Sequence, residues 1–134
     1  MHFLKQPEIV DLSYRTAEEI AQYYQRVSLA IGMRGHSQAI PFGQGCRIIS
    51  LISHDKLAWF LEDIGMPELG IEVLEEDLEE KLISLVEKYE TSSNLYDQLI
   101  EARRRLWEIT LENHEIISTE LHIPFKRKPV SIDN

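Results

Sequence analysis

The sequence predicts an α/β domain built on a doubly wound parallel sheet and followed by C-terminal helices, and three observations carry that expectation. Short apolar runs alternate with helical periodicities through the first half of the chain, an order that implies parallel strands joined by right-handed crossovers. The runs are nearly continuous in apolar residues, as expected of strands covered on both faces. After residue 74 the strand signals stop and two long amphipathic helices begin.

The elements follow in order. Glu8-Ile9-Val10-Asp11-Leu12 reads as a short first strand. Thr16 then sets up a capping box with Glu19, and Ile20, Tyr23, Tyr24 and Val27 recur at helical spacing behind it. Leu29–Met33 is the second strand. The helix after it contains Pro41, so it is expected to be short or distorted. Arg47–Ser53 is the third strand, rich in β-branched residues and too short for a helix. Asp55–Ile64 is helical, with Leu57, Phe60, Leu61 and Ile64 on one stripe; Gly65 closes it and Pro67 prevents its resumption. Gly70–Leu74 is a fourth, edge-like strand. Glu75–Tyr89 and Leu95–Ile117 are the two long helices, separated by Thr91-Ser92-Ser93-Asn94. Arg103, Arg104 and Arg105 sit within the second of them, where charge pairing with Glu101 and Glu108 is expected. The tail from Ile123 reads as a frayed terminus.

Composition narrows the function classes. A formal charge of −9 argues against nucleic acid as a partner, because phosphate backbones demand a basic surface. No apolar run approaches the length of a membrane span, and no secretory signal opens the chain. The single cysteine, Cys46, cannot form an internal disulfide and fits a reducing cytoplasm; its spacing suits a small buried side chain ahead of a strand. The acidic average hides a local exception. Residues 20–54 contain no carboxylate, where an even spread of the 23 acidic residues over 134 would place about six. The same segment holds Arg26, Arg34 and Arg47, so an approaching anion meets no local repulsion.

Within that segment lies the candidate site. Leu29-Ala30-Ile31-Gly32-Met33-Arg34-Gly35-His36-Ser37-Gln38 passes from a buried strand through a tight turn into a helix, and ligands of wound parallel sheets bind beyond the carboxyl ends of the strands. Gly32 and Gly35 are read as positions where backbone approaches a ligand closely or adopts angles that other residues resist. The helix that follows presents free amides, Arg34 adds a planar cationic fork, and His36 is the nearby group that exchanges protons near neutral pH. The bland alternative is that Arg34 pairs with a structural carboxylate and His36 caps the helix; the residues alone leave the two readings even. A metal site is not expected, since the lone His36 lacks partners at ligand spacing and His2, His54, His114 and His122 are scattered. Gly43-Gln44-Gly45 precedes a strand, so it is not a phosphate loop.

Residues 32–56, from Gly32-Met33-Arg34-Gly35-His36 through Ser53-His54-Asp55-Lys56, resemble the polysaccharide pyruvyl transferase family. The resemblance rests on an Arg-x-His turn after a strand, a short helix ending in glycine, an apolar strand, and an Asp–Lys turn before a helix carrying Phe60 and Leu61; it extends over about residues 8–90. Gly35 stands where many relatives carry leucine. The resemblance implies a Rossmann-like sheet forming the C-terminal half of a glycosyltransferase-B-like fold. It divides the chain into a partial C-terminal domain (1–90), a helical extension (91–122) and a tail (123–134), with an N-terminal domain missing upstream. It further implies transfer of a pyruvyl group from phosphoenolpyruvate to a sugar or lipid-linked oligosaccharide of a cell-surface polysaccharide, with no cofactor. His36 becomes the acid–base residue and Arg34 the donor-anion ligand. Gly32, Gly35 and Ser37 would lie against substrate, with Ser53 and Lys56 reaching the same face of the sheet. For Ser53 a helix cap, and for Lys56 an ordinary surface lysine, are equally good readings. Two alternatives stand beside this one. A nucleotide-sugar-binding domain of the same general fold is disfavoured because its retaining members carry glutamates near the helix of residues 36–44, which has none here. The other is a non-catalytic truncated fragment.

Overall fold

The computed structural model describes residues 7–124. Three strands, β1 (Leu29–Gly32), β2 (Arg47–Ile52) and β3 (Gly70–Glu72), form one parallel sheet in the order β1-β2-β3. Helix α1 (Ala17–Tyr24) precedes β1, α2 (His36–Gly43) joins β1 to β2, and α3 (Asp55–Asp63) with a short 3-10 turn (Pro67–Leu69) joins β2 to β3. Two long helices, α4 (Leu78–Thr91) and α5 (Ser93–Leu121), follow β3. The expected parallel strands and C-terminal helices are therefore present. The order runs in one direction across the described residues.

The expected first strand is not formed. Residues 7–12 have no regular structure, and Ile9 is 92% exposed, so among the described residues the sheet has three strands instead of four. Nothing about the segment's composition forbids a strand, but its backbone pairs with none of the three strands. β3 stops at Glu72, earlier than expected, because the chain turns: the Glu75 amide bonds back to the Glu72 carbonyl. For the same reason α4 begins three residues after the expected Glu75.

Register and packing identify the two faces. Gly32, Ser50 and Gly70 lie in one row across the sheet. A β-carbon on Gly32 would run into Ser37 of α2, and one on Gly70 into Leu61 of α3. That row, with Ile48 and Ile52, therefore faces α2 and α3, while Ile49 and Ile71 face the other way. Both Ile48 and Ile49 are fully buried, so β2 is covered on both sides, as its unbroken apolar run implies. The opposite cover comes from α4 and the first half of α5, whose Leu85, Tyr89, Leu95, Leu99 and Ala102 share one core with the strands. Beyond Leu106 the stripe of α5 continues through Ile109, Ile116 and Ile117, which are exposed.

Polar groups finish what the short strands leave open. The Arg47 amide bonds the Ser28 carbonyl, so Arg47 turns toward β1 and Ile48 turns toward β3. There β3 has not yet begun, since Gly70 pairs with Ser50. The Tyr89 hydroxyl fills the gap, donating to the Ile48 carbonyl at 2.9 Å. Burial of the ring holds the Tyr89 pKa well above its ordinary value. Cys46 is free and buried, as its position suggests, and burial pushes its thiol pKa up.

The arginine run divides its labour. Arg104 makes the expected pairs with Glu101 and Glu108, both at 2.5 Å. Arg105 instead donates to the Asp63 carbonyl at 3.2 Å, at the end of α3, and Arg103 lies against Gly45 just past the end of α2. Cations at helix C-termini oppose the partial negative charge there. Gly45 and Gly65, at those same two ends, adopt φ of 85° and 73°, where a side chain would be strained.

Candidate functional site

The carboxyl ends of β1 and β2 open onto two turns that lie side by side. β1 ends at Gly32, Met33 and Arg34 form the first turn, and α2 starts at His36. β2 ends at Ile52, and Ser53 and His54 lead into α3, whose first turn carries Asp55 and Lys56. The Ser53 hydroxyl donates to the Met33 carbonyl at 3.3 Å and ties the turns together. Ser53 is thus a cross-tether and not the cap of α3; His54 occupies that position without a side-chain cap bond.

The first turn is built by Ser37 and Gln38. The Ser37 hydroxyl donates to the Arg34 carbonyl at 2.7 Å and accepts from the Arg34 amide at 3.2 Å, so its one donor is already used by the backbone. Gly32 is required because Ser37 occupies the space a β-carbon would need. Gly35 is not required on such grounds. Its φ of −53° and ψ of −47° are ordinary helical values, and a β-carbon would meet nothing within 4 Å. The expectation of an unusual backbone at Gly35 is corrected accordingly; what remains is an open surface above it. The Gln38 side chain is 1% exposed and donates from Nε2 to the Gly32 carbonyl at 3.2 Å, locking α2 to the end of β1. Sequence reasoning missed Gln38, since a glutamine in a helix's first turn carries no signal that it points inward.

Arg34 and His36 are both exposed, and among the described residues neither side chain makes a hydrogen bond or ion pair. The bland expectation for them, a structural carboxylate partner for Arg34 and a capping role for His36, is not met. Lys56 is likewise exposed and unpaired among the described residues. The turn therefore places a guanidinium and an imidazole at one rim, with Lys56 on the adjoining turn; the expected free amides are not found at Ser37, Gln38 and Ala39, which already bond the Arg34 and Gly35 carbonyls. α2 has no acidic residue in its first turn to occupy its own N-terminus. Pro41 stands inside α2, but the helix survives as a short one because proline disrupts only the bond one turn back.

Among the described residues no group of three or more His, Cys, Asp or Glu is placed to hold a metal ion, and no helix is long and apolar enough to cross a membrane. No protein-family model, no curated protein and no solved structure matches the chain.

Proposed function

We propose that the β1–α2 turn is the donor-anion site of a polysaccharide pyruvyl transferase-like enzyme, taking phosphoenolpyruvate. The observation that carries this reading is the pairing of Arg34 with His36. Both are exposed and uncommitted at the N-terminus of a helix, at the carboxyl edge of a parallel sheet, inside a segment free of carboxylates. The finer architecture belongs to the same proposal: a doubly wound, Rossmann-like sheet within a glycosyltransferase-B-like enzyme, acting in the cytoplasm. Parallel strands and the two-sided cover of β2 support it.

Phosphoenolpyruvate carries a phosphate and a carboxylate, and the guanidinium fork suits either. A sugar hydroxyl adds its oxygen to the enol carbon as the methylene carbon takes a proton. A second hydroxyl of the same sugar then displaces phosphate, which leaves with its C–O bond broken, and the product is a cyclic ketal. Two hydroxyl protons are released; one ends on the methyl group and the other on phosphate. His36 is the group placed to relay them.

Site exposure suggests that the chain binds donor without turning it over, because an open rim neither excludes water nor orders an acceptor. The proposal is tested by calorimetric titration of phosphoenolpyruvate into the chain and its Arg34→Ala variant. Loss of one charge-assisted contact of about 1.5–3 kcal/mol corresponds to a weakening of roughly 10- to 150-fold. Equal affinities for the two proteins would rule Arg34 out as the ligand.

A further inference from the structure

We propose that residues 8–12 are a strap that closes onto the open edge of β1 as a fourth parallel strand. β1 is an edge of the sheet, and its Ile31 is 46% exposed, although the paired Ile49 is fully buried. The Ser28 carbonyl turns toward β2, so by alternation the Leu29 carbonyl and the Ile31 amide point to the empty side. An unpaired edge of this kind is a template for another strand.

The occupant is on the same chain. Ile9 and Val10 are β-branched, apolar and exposed in a segment without regular structure. Everything a crossover needs downstream of them is already in place. The Arg15 amide closes a turn onto the Leu12 carbonyl, and Thr16 and Glu19 form a complete capping box at the start of α1. α1 packs against α2, and the Gln25 side chain donates to Gln44 at 3.0 Å. Residues 13–28 exceed the dozen or so that a parallel crossover requires. Yet α1 buries no residue completely, as a crossover helix would once a strand lay beneath it.

Closure carries a consequence for the site, and this part rests on the anion reading above. A parallel strand ending at Leu12 brings Tyr14 and Arg15 to the same rim as Arg34. Tyr14 is 95% exposed in the open form and would become a wall of the site.

Hydrogen exchange on the whole chain, read by NMR at single amides without ligand, tests the strap. Closure is expected to slow the Ile31 amide at least tenfold relative to its unstructured rate. Val10→Pro, which removes a donor and a strand conformation, is expected to restore fast exchange at Ile31 while the β2 amides stay protected. Equal exchange at Ile31 in both proteins overturns the proposal. Protection that grows with protein concentration, alongside a dimer in native mass measurement, overturns it too, since the occupant would then be a second copy. Failure of the anion reading is separable: phosphoenolpyruvate would leave residues 33–38 unperturbed while the ligand-free protection persisted.

Discussion

Gly32 and Gly35 look alike in the sequence and differ in what the fold asks of them. A β-carbon on Gly32 would displace the Ser37 hydroxyl from the Arg34 backbone, so Gly32→Ala is expected to destabilise the chain by about 1–3 kcal/mol, read as a lowered denaturation midpoint. Gly35→Ala meets open space and ordinary helical angles, and is expected to stabilise by about 0.4–1 kcal/mol. Opposite signs for the two variants in parallel urea titrations check the assignment. Arg34 and His36 divide on function instead of stability. In a turning-over transferase containing this segment, His36→Ala is expected to slow turnover by about 10²–10⁴ while leaving donor binding nearly intact. Arg34→Lys is expected to restore little of the affinity lost in Arg34→Ala, because an ammonium lacks the planar two-donor geometry. Near-normal turnover in folded His36→Ala would remove it from the chemistry.

At the scale of elements, one hydroxyl holds the sheet to the C-terminal helices. Tyr89→Phe leaves the Ile48 carbonyl buried without its donor and is expected to cost about 1–3 kcal/mol. The raised Tyr89 pKa adds a pH signature. A group whose pKa is raised on folding contributes stability that is complete below its unfolded value, near 10, and is lost as pH rises beyond it. Stability of the parent chain should therefore fall more steeply above that pH than stability of Tyr89→Phe, a difference that alkaline urea titrations detect. The capping box gives the opposite sign. Backbone and hydroxyl bonds from Thr16 hold Glu19 below its ordinary pKa, so the contribution is present above that value and lost as pH falls. These local devices were legible: Thr16 with Glu19, Gly65 at the end of α3, and β2 as a buried strand all declare themselves in residue type and spacing. The roles of Tyr89, Arg103 and Arg105 were not, because each acts on backbone far away in sequence, at Ile48, Gly45 and the end of α3. The absence of a strand at residues 8–12 was illegible for a related reason. Strand propensity is written in the segment, while pairing depends on what lies beside it.

For the whole molecule, the charge distribution matters more than its sum. The net charge is −9, yet the segment forming α2, β1, β2 and the turn between them carries no carboxylate. Acidic residues gather on α4 and its approach, where Lys81 pairs with Glu75 and Asp77. The β1–α2 turn lies two strands away from that acidic run along the sheet, so an anion there would meet Arg34 with no carboxylate from the same segment. Because the attraction is between exposed groups, donor binding is expected to weaken as salt is raised from about 0.05 to 0.5 M, with the Debye length falling from roughly 14 to 4 Å. A second charged patch lies beside β3, where an open cavity of about 420 Å³ is lined by Lys81 and Lys88, together with Glu68 and Glu80. The most direct measurement follows amide chemical shifts of the whole chain during titration with phosphoenolpyruvate at low salt. The expected result is saturable perturbation centred on residues 33–38 and extending to Ser53–Lys56, abolished in Arg34→Ala. Perturbation confined to the α4 lysines, or none at all, would contradict the account.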